Sequence, residues 1–226
     1  MGDDASEFYR TLPNRAEWVE SGGGDDRIIG TITRDGNAGQ GKTPGLTKPN
    51  PSRTLADTLD GGAGNDTLIL DDYRGLLIGG TGNDQINSNS RRQTDGERIV
   101  ILGDTDSNDT RGHGNDTISP GVPQESIDGG GGRDLLTYLT APAAVTVNLT
   151  AGIGSGGGGR GFDTIRRIED IRGSRFGDTL TGNAVSNQIW GDQGNDVIDG
   201  RASNDFLYGD DGADSILGGT GNDLLE

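Results

Sequence analysis

A nine-residue period constrains this chain more than any other feature of it. From Gly173 to Glu226 the sequence divides without remainder into six frames of nine residues: GSRFGDTLT, GNAVSNQIW, GDQGNDVID, GRASNDFLY, GDDGADSIL and GGTGNDLLE. Residues 52–87 hold SRTLADTLD, GGAGNDTLI, LDDYRGLLI and GGTGNDQIN, residues 111–137 hold RGHGNDTIS, PGVPQESID and GGGGRDLLT, and SGGGDDRII stands alone at 21–29. The shared pattern is G-G-x-G-[ND]-D-x-[aliphatic]-x. Repeats this short bury an apolar face only by stacking on their neighbours.

Each position has a physical reading. Glycines at positions one, two and four open backbone angles closed to residues with a side chain. Asn or Asp at position five tolerates the left-handed region. Positions one to six therefore form a turn, and positions seven to nine a short strand. The eighth residue (Leu68, Ile86, Ile118, Leu136, Ile198, Leu207, Ile216, Leu225) points inward between polar neighbours. One frame makes half a coil, so two frames complete a circuit and parallel strands stack around a thin aliphatic core.

Position six then recurs on the same side every second frame. This stacks Asp66 with Asp84, Asp116 with Asp134, Asp178 with Asp196, Asp196 with Asp214, and Asp205 with Asp223. Coils about 4.8 Å apart bring these carboxylates together against turn carbonyls. Without a cation they repel one another. A hard ion taking six to eight oxygens at roughly 2.3–2.6 Å suits the space, which favours Ca²⁺ over Mg²⁺. Three frames depart at position six, carrying Asn187, Gly75, and Ser126 with acids beside it, and these half-sites are weaker. Position four is Phe176, Val185 or Ser203 in three others, which weakens their turns without abolishing the coil.

Composition agrees. The 226 residues carry 36 acidic against 19 basic side chains, a formal charge of −17 that about eight divalent ions would neutralise. At 29% hydrophobic and 4% aromatic the chain cannot build one thick core. With 43 glycines it would suit a disordered linker, were an aliphatic residue not kept at every eighth position. The acidity argues against nucleic acid and anionic membranes as partners. No apolar run approaches the ~18 residues of a membrane span, and MGDDASEFYR lacks signal-peptide character. Zero cysteines exclude disulfides and thiolate metal sites.

These nonapeptides resemble the calcium-binding repeats of the RTX (repeats-in-toxin, haemolysin-type) family. The likeness is strongest in GGAGNDTLI, GGTGNDQIN, GGGGRDLLT and GGTGNDLLE. The segment from Leu136-Thr137-Tyr138 through AAVTVNLTAG to FDTIRRIEDIRGSRFGDTLTGN is similar to one that links repeat blocks in that family. It reads as an alternating strand (Val145, Val147, Leu149), a Gly-rich loop at 152–161, and a return strand with Ile165, Ile168 and Ile171. The resemblance implies an all-β parallel β-roll, a right-handed β-solenoid of nine-residue half-coils, with several Ca²⁺ ions in the turns. It assigns to the metal sites Asp26; Gly61, Gly62, Gly64, Asn65 and Asp66; Gly79, Gly80, Gly82, Asn83 and Asp84; Gly112, Gly114, Asn115 and Asp116; and Gly129, Gly130, Gly132 and Asp134. In the last block it assigns Asp178; Gly191, Gly194, Asn195 and Asp196; Asp205; Gly209, Gly212 and Asp214; and Gly218, Gly219, Gly221, Asn222 and Asp223.

The organisation expected is an N-terminal arm or cap (1–20), a first copy and insertion loop (21–51), repeat block 1 (52–87), an irregular excursion (88–110), block 2 (111–137), linking strands and loop (138–172), and block 3 (173–226). Other motifs fail on context. GNAGQGKT at 36–43 fits a phosphate-binding loop, but Pro44, Gly45 and the following prolines cannot continue the helix that phosphate binding needs. Asp104, Asp106 and Asn108 give a 1-3-5 oxygen spacing, yet Asp109 and Asn115 stand where an EF-hand has Gly and Glu. Met1-Gly2 with Ser6 fits myristoylation only superficially, beside acidic Asp3 and Asp4. The single histidine, His113, sits at a variable turn position, and no hydrolase or zinc-protease motif is present, so no catalytic residue is assigned.

Phe8, Tyr9 and Trp18 concentrate aromatics in the arm, suiting a cap over the first coil or a docking segment for a surface, matrix or virion protein. Trp190, Phe206 and Tyr208 are expected to cover the core of the last block. The function expected is a calcium-binding structural or adhesive module that folds outside the cell, in a bacterial product. The alternatives are the C-terminal secretion and folding domain of an RTX enzyme or toxin, or a calcium-stabilised virion protein. The starting Met favours an intact small protein. The family's C-terminal export signal does not follow the repeats, which end on the ninth residue of a frame.

Overall fold

A computed structural model describes residues 8–10, 18–31, 57–71, 75–88, 99–104, 113–121, 124–156 and 162–226. The described residues form two sheets and no helix. Sheet one runs, in spatial order, β1 (Phe8–Arg10), β3 (Arg27–Thr31), β5 (Thr67–Asp71), β7 (Gln85–Ser88), β9 (Thr117–Ser119), β11 (Leu135–Thr137), β15 (Asp170–Arg172), β17 (Gln188–Trp190), β19 (Phe206–Tyr208) and β21 (Leu224–Leu225). Sheet two runs β2 (Trp18–Glu20), β4 (Asp57–Asp60), β6 (Gly75–Ile78), β8 (Ile99–Leu102), β10 (Ser126–Asp128), β14 (Asp163–Arg166), β13 (Ile153–Gly156), β12 (Val145–Asn148), β16 (Thr179–Thr181), β18 (Val197–Asp199) and β20 (Ser215–Leu217). Apart from the β12–β13–β14 segment the chain alternates between the sheets, and the pairing is parallel: this is the all-β parallel β-roll.

The register follows the period. Ile189 pairs with Leu207 and Leu207 with Leu225 in sheet one, as Leu180 pairs with Ile198 and Ile198 with Ile216 in sheet two. Their side chains interleave between the sheets with Ile28, Leu59, Leu68, Leu77, Ile86, Ile101, Ile118, Ile127, Leu136 and Ile171, all essentially without exposure. Burial ends with the stack. Ile216 is only partly buried, and Leu225, expected inside, is 44% exposed in β21, the last strand of its sheet among the described residues.

The blocks fuse into one stack. β7 pairs with β9 across the 88–110 excursion, and β11 pairs with β15 across the linking segment. The excursion itself contributes β8, whose Ile99 and Ile101 are buried, so it is not the wholly irregular segment expected. In the linking segment the Gly-rich loop at 152–161 contains β13, antiparallel to both β12 and β14. The expected single return strand is two strands, β14 in sheet two and β15 in sheet one. Among the described residues sheet two therefore carries β13 and β12 between β14 and β16, with no matching strands in sheet one, where β15 and β17 are neighbours. Trp190, Phe206 and Tyr208 do not cover the core. They face outward at positions seven and nine, with Trp190 and Tyr208 stacked at 5.9 Å and Phe206 41% exposed. The 36–43 motif lies outside the described residues.

Candidate metal centre

The turns form two flanks. On the first, chain passes from sheet two to sheet one through Asp26, Asp66, Asp84, Asp116 and Asp134, each just before its strand. All five are buried. They are tied in a continuous ladder, in which each main-chain N–H donates to the Oδ1 of the aspartate one coil on. Asp26 donates to Asp66 (2.7 Å), Asp66 to Asp84 (2.8 Å), Asp84 to Asp116 (2.9 Å) and Asp116 to Asp134 (2.9 Å). Two of these rungs were not visible at a spacing of eighteen. Asp26 is no isolated copy, because β3 and β5 pair in register on either side of the intervening chain, placing its partner forty residues on.

The second flank, from sheet one to sheet two, repeats the device. Glu125 N donates to Asp163 Oδ1 (2.9 Å), Asp178 N to Asp196 Oδ1 (2.7 Å) and Asp196 N to Asp214 Oδ1 (2.9 Å). Position six of that earlier frame is thus Glu125, not Ser126. On the first flank the series resumes with Asn187 N to Asp205 Oδ1 (2.8 Å) and Asp205 N to Asp223 Oδ1 (3.0 Å). Between them stands Glu169, whose Oε2 accepts from Asp134 N (2.9 Å). Sequence reasoning missed Glu169, although counting back nine from Gly173 gives TIRRIEDIR, with an acid at position six and Ile171 at position eight.

The second carboxylate oxygen is the informative one. Oδ2 of Asp66, Asp84, Asp116, Asp134, Asp196 and Asp205 is buried and accepts no hydrogen bond. A buried oxygen left so costs on the order of 1–3 kcal/mol, more when charged. Each lies over a glycine that follows the preceding strand, at position one of its own frame except for Asp116, which lies over Gly103. A Cβ on Gly79 would stand 2.4 Å from Asp84 Oδ2 and 2.5 Å from the Gly103 carbonyl of the next coil, and one on Gly191 would stand 2.3 Å from Asp196 Oδ2 and 2.8 Å from Gly209 O. Glycine there keeps open a cradle in which a carboxylate and a carbonyl of successive coils converge. Among the described residues no three acidic or imidazole side chains cluster, so such a cradle draws its remaining oxygens from the main chain.

Electrostatics point the same way. Burial is the largest cause raising these acids, and neighbouring carboxylates add to it, against the lowering effect of the ladder hydrogen bonds. Asp66 is pushed up to about 6, Asp116 to about 7, and Asp84 and Asp134 to about 8. Asp196 and Asp205 are raised for the same reason. A cation in the cradles inverts that balance. The donor set is all oxygen, which suits a hard ion.

Residues 56–72, 71–90, 172–207 and 190–225 match the RTX calcium-binding nonapeptide repeat, in four copies. The coils of these matched residues are RTX repeats. No curated protein matches the chain. RTX repeats bind several Ca²⁺ ions per domain in their turns, so calcium is the cofactor of this module, and the repeat itself is a non-catalytic structural unit. The 113–137 coils lie outside the match yet carry the same aspartate ladder through Asp116 and Asp134.

The other expected positions divide. Asn65, Asn83, Asn115 and Asn195 turn their side-chain oxygens to the position-five N–H of the next coil, as in Asn83 N to Asn65 Oδ1 (2.8 Å), and so hold register. Asp178 stacks under Asp196, but its own oxygens accept from Val145 N, Ser174 N and Ser174 Oγ. Asp104 is buried in the turn, where Oδ2 accepts from Gly131 N (2.7 Å), while 105–110 and Gly112 lie outside the described residues. His113 lies against Gly131 of the next coil as a turn residue.

Proposed function

We propose that this chain is a calcium-dependent structural or adhesive module whose β-roll assembles when Ca²⁺ reaches it outside the cell. The observation that carries this reading is the row of buried aspartates with one oxygen lacking a donor, each facing a carbonyl of the next coil. In the calcium-bound form Asp66, Asp84, Asp116 and Asp134 on the first flank hold the ions with the turn carbonyls of their glycines. Asp205 and Asp223 continue that flank, and Asp196 and Asp214 do the same on the second. Calcium supplies the positive charge that lets these carboxylates stay ionised while stacked. The thin core and the charge of −17 leave the metal-free chain short of stability, so binding and folding are coupled. RTX repeats occur in secreted bacterial proteins, and millimolar extracellular calcium fits a switch that stays open inside the cell.

The test is a calcium titration of the full chain from excess chelator, followed by circular dichroism and scattering-derived radius. A gain of β signal with compaction is expected. Full β content in chelator, unchanged by calcium, would overturn the reading.

A further inference from the structure

The RTX turns take two forms, and the main-chain angle at position two separates them. In the first form φ is positive: +83° at Gly62, +110° at Gly80, and also +69° at Asp192, +78° at Arg201 and +63° at Asp210, where the side chain makes that region costly. The position-two N–H then leaves the position-six carboxylate uncapped, donating to Gly103 O from Gly80, to Asp60 Oδ1 from Gly62 and to Asp199 Oδ1 from Arg201. In the second form φ is not positive, and the N–H turns inward and caps the position-six side chain. Ser174 N donates to Asp178 Oδ2 (2.5 Å) and Asn183 N to Asn187 Oδ1 (2.8 Å).

Local sequence sets the second form. Ser174 Oγ accepts from Phe176 N (3.1 Å) and Asn183 Oδ1 from Val185 N (3.0 Å), each a side-chain turn that closes over a non-glycine fourth residue. These two turns, one on each flank, follow one another in the chain; Gly121 N makes a longer bond of the same kind to Glu125 Oε1 (3.3 Å), but Glu125 Oε2 stays without a donor. Around them the protein supplies its own donors. Asn187 Nδ2 donates to Glu169 O (2.6 Å). Tyr138, buried at a position-one place, donates its hydroxyl to Asp163 Oδ2 (3.2 Å), while Gln124 N and Glu125 N satisfy Oδ1. Arg133 grips Asp170 through two bonds (2.8 and 2.7 Å), and Arg172 grips Asp192 likewise (2.6 and 2.7 Å). Both side-chain polar atoms of Asp163, Asp170, Asp178 and Asn187 are thus hydrogen bonded, unlike the donorless oxygens of the coils on either side. Tyr138, Val145, Val147, Ile165, Ile168, Ile171, Leu180 and Ile189 pack beneath them.

We propose that residues 135–156 and 162–190 form a calcium-independent seam, closed by the chain's own donors, which stays folded without the ion and from which the flanking coils zip as calcium binds. This rests on the calcium-coupled folding proposed above and adds its order: the seam first, then the coils on either side.

Hydrogen exchange of the full chain in excess chelator tests it. Amides of β15, β16 and β17 should be protected by a factor on the order of 100, against values near 1 in β5, β7, β19 and β20. Added calcium should bring the outer strands up to match. Uniform loss of protection in chelator, restored by calcium, would overturn the seam while leaving calcium-coupled folding intact. Uniform protection in chelator would overturn both. The double variant Ser174→Gly, Phe176→Gly should reopen one turn, and Asn187→Asp should remove one amide donor. Both should exchange like the native chain in calcium but lose seam protection in chelator at least tenfold. Unchanged seam protection in both variants would show that self-capping is not what holds the segment.

Discussion

Asp196→Asn separates the hydrogen-bonding role of a ladder residue from its cation-binding role. The amide keeps an oxygen for the Asp178 N–H that now reaches Asp196 Oδ1 at 2.7 Å. Its nitrogen takes the place of Oδ2, which has no donor and lies beside Gly209 O over Gly191. Without calcium the change removes a buried carboxylate and introduces a donor, as Asn187 already does toward Glu169 O. The metal-free fold should therefore gain about 1–3 kcal/mol. With calcium the sign reverses. The Asp178 turn on one side is closed by Ser174, so the charge of Asp196 serves the open cradle over Gly191 with Gly209 O. At free calcium a hundredfold above the dissociation constant, each site contributes about 2.7 kcal/mol to the folded state, and the variant forfeits much of that at this site. The gap between the two conditions should narrow from both ends. Urea titrations of the native chain and the variant, in chelator and in saturating calcium, measure it. An unchanged gap, or a loss of stability in chelator, would refute the assignment of Asp196 Oδ2 to a cation.

Magnesium should replace calcium poorly, since its short octahedral bonds suit main-chain carbonyls badly; equal compaction at equal Mg²⁺ would count against the cradle geometry. Acidity should act oppositely on the two forms. The folded, metal-free acids titrate above their unfolded values, Asp66 near 6, Asp116 near 7 and Asp84 and Asp134 near 8, so the metal-free fold is favoured at low pH and loses that stability as pH rises through 6–8. Calcium must displace those protons, so its folding midpoint should rise between pH 8 and pH 6; dichroism in chelator and calcium titrations at both pH values check the two slopes. Gly79→Ala should raise the calcium midpoint severalfold, because the new methyl enters the cradle 2.4 Å from Asp84 Oδ2; isothermal titration showing native affinity would sink that expectation.

The sequence made the coil legible because its period is set by packing. A side chain at position eight is buried or the coil fails, so Leu68, Ile86 and Ile198 announce themselves. The carboxylate pairs at eighteen followed from the same counting. What escaped was contact across an interruption: Asp26 meets Asp66, and Asp84 meets Asp116, only across sequence that breaks the nine-residue count. Glu169 escaped because its frame has no glycine to mark it, and β8 because the excursion was read as irregular. The two turn forms were beyond a pattern of residue types. Asp192, Arg201 and Asp210 adopt angles that composition would reserve for glycine, while Ser174 and Asn183 close turns that looked merely degraded.

The interruptions at 32–56, 89–98 and 105–112 have a consequence for how such a protein changes length. Each lies between two strands, and the strands that flank it in the sheets meet as if the intervening sequence were absent. The phase of the coil is restored by contact instead of by counting, and widening a flexible loop twofold costs only about 0.6 kcal/mol. Foreign sequence spliced between strands is thus nearly invisible to the stack, whereas one residue gained or lost within a strand would reverse every side chain beyond it. The architecture behaves as a spine on which new material can be hung without being rebuilt.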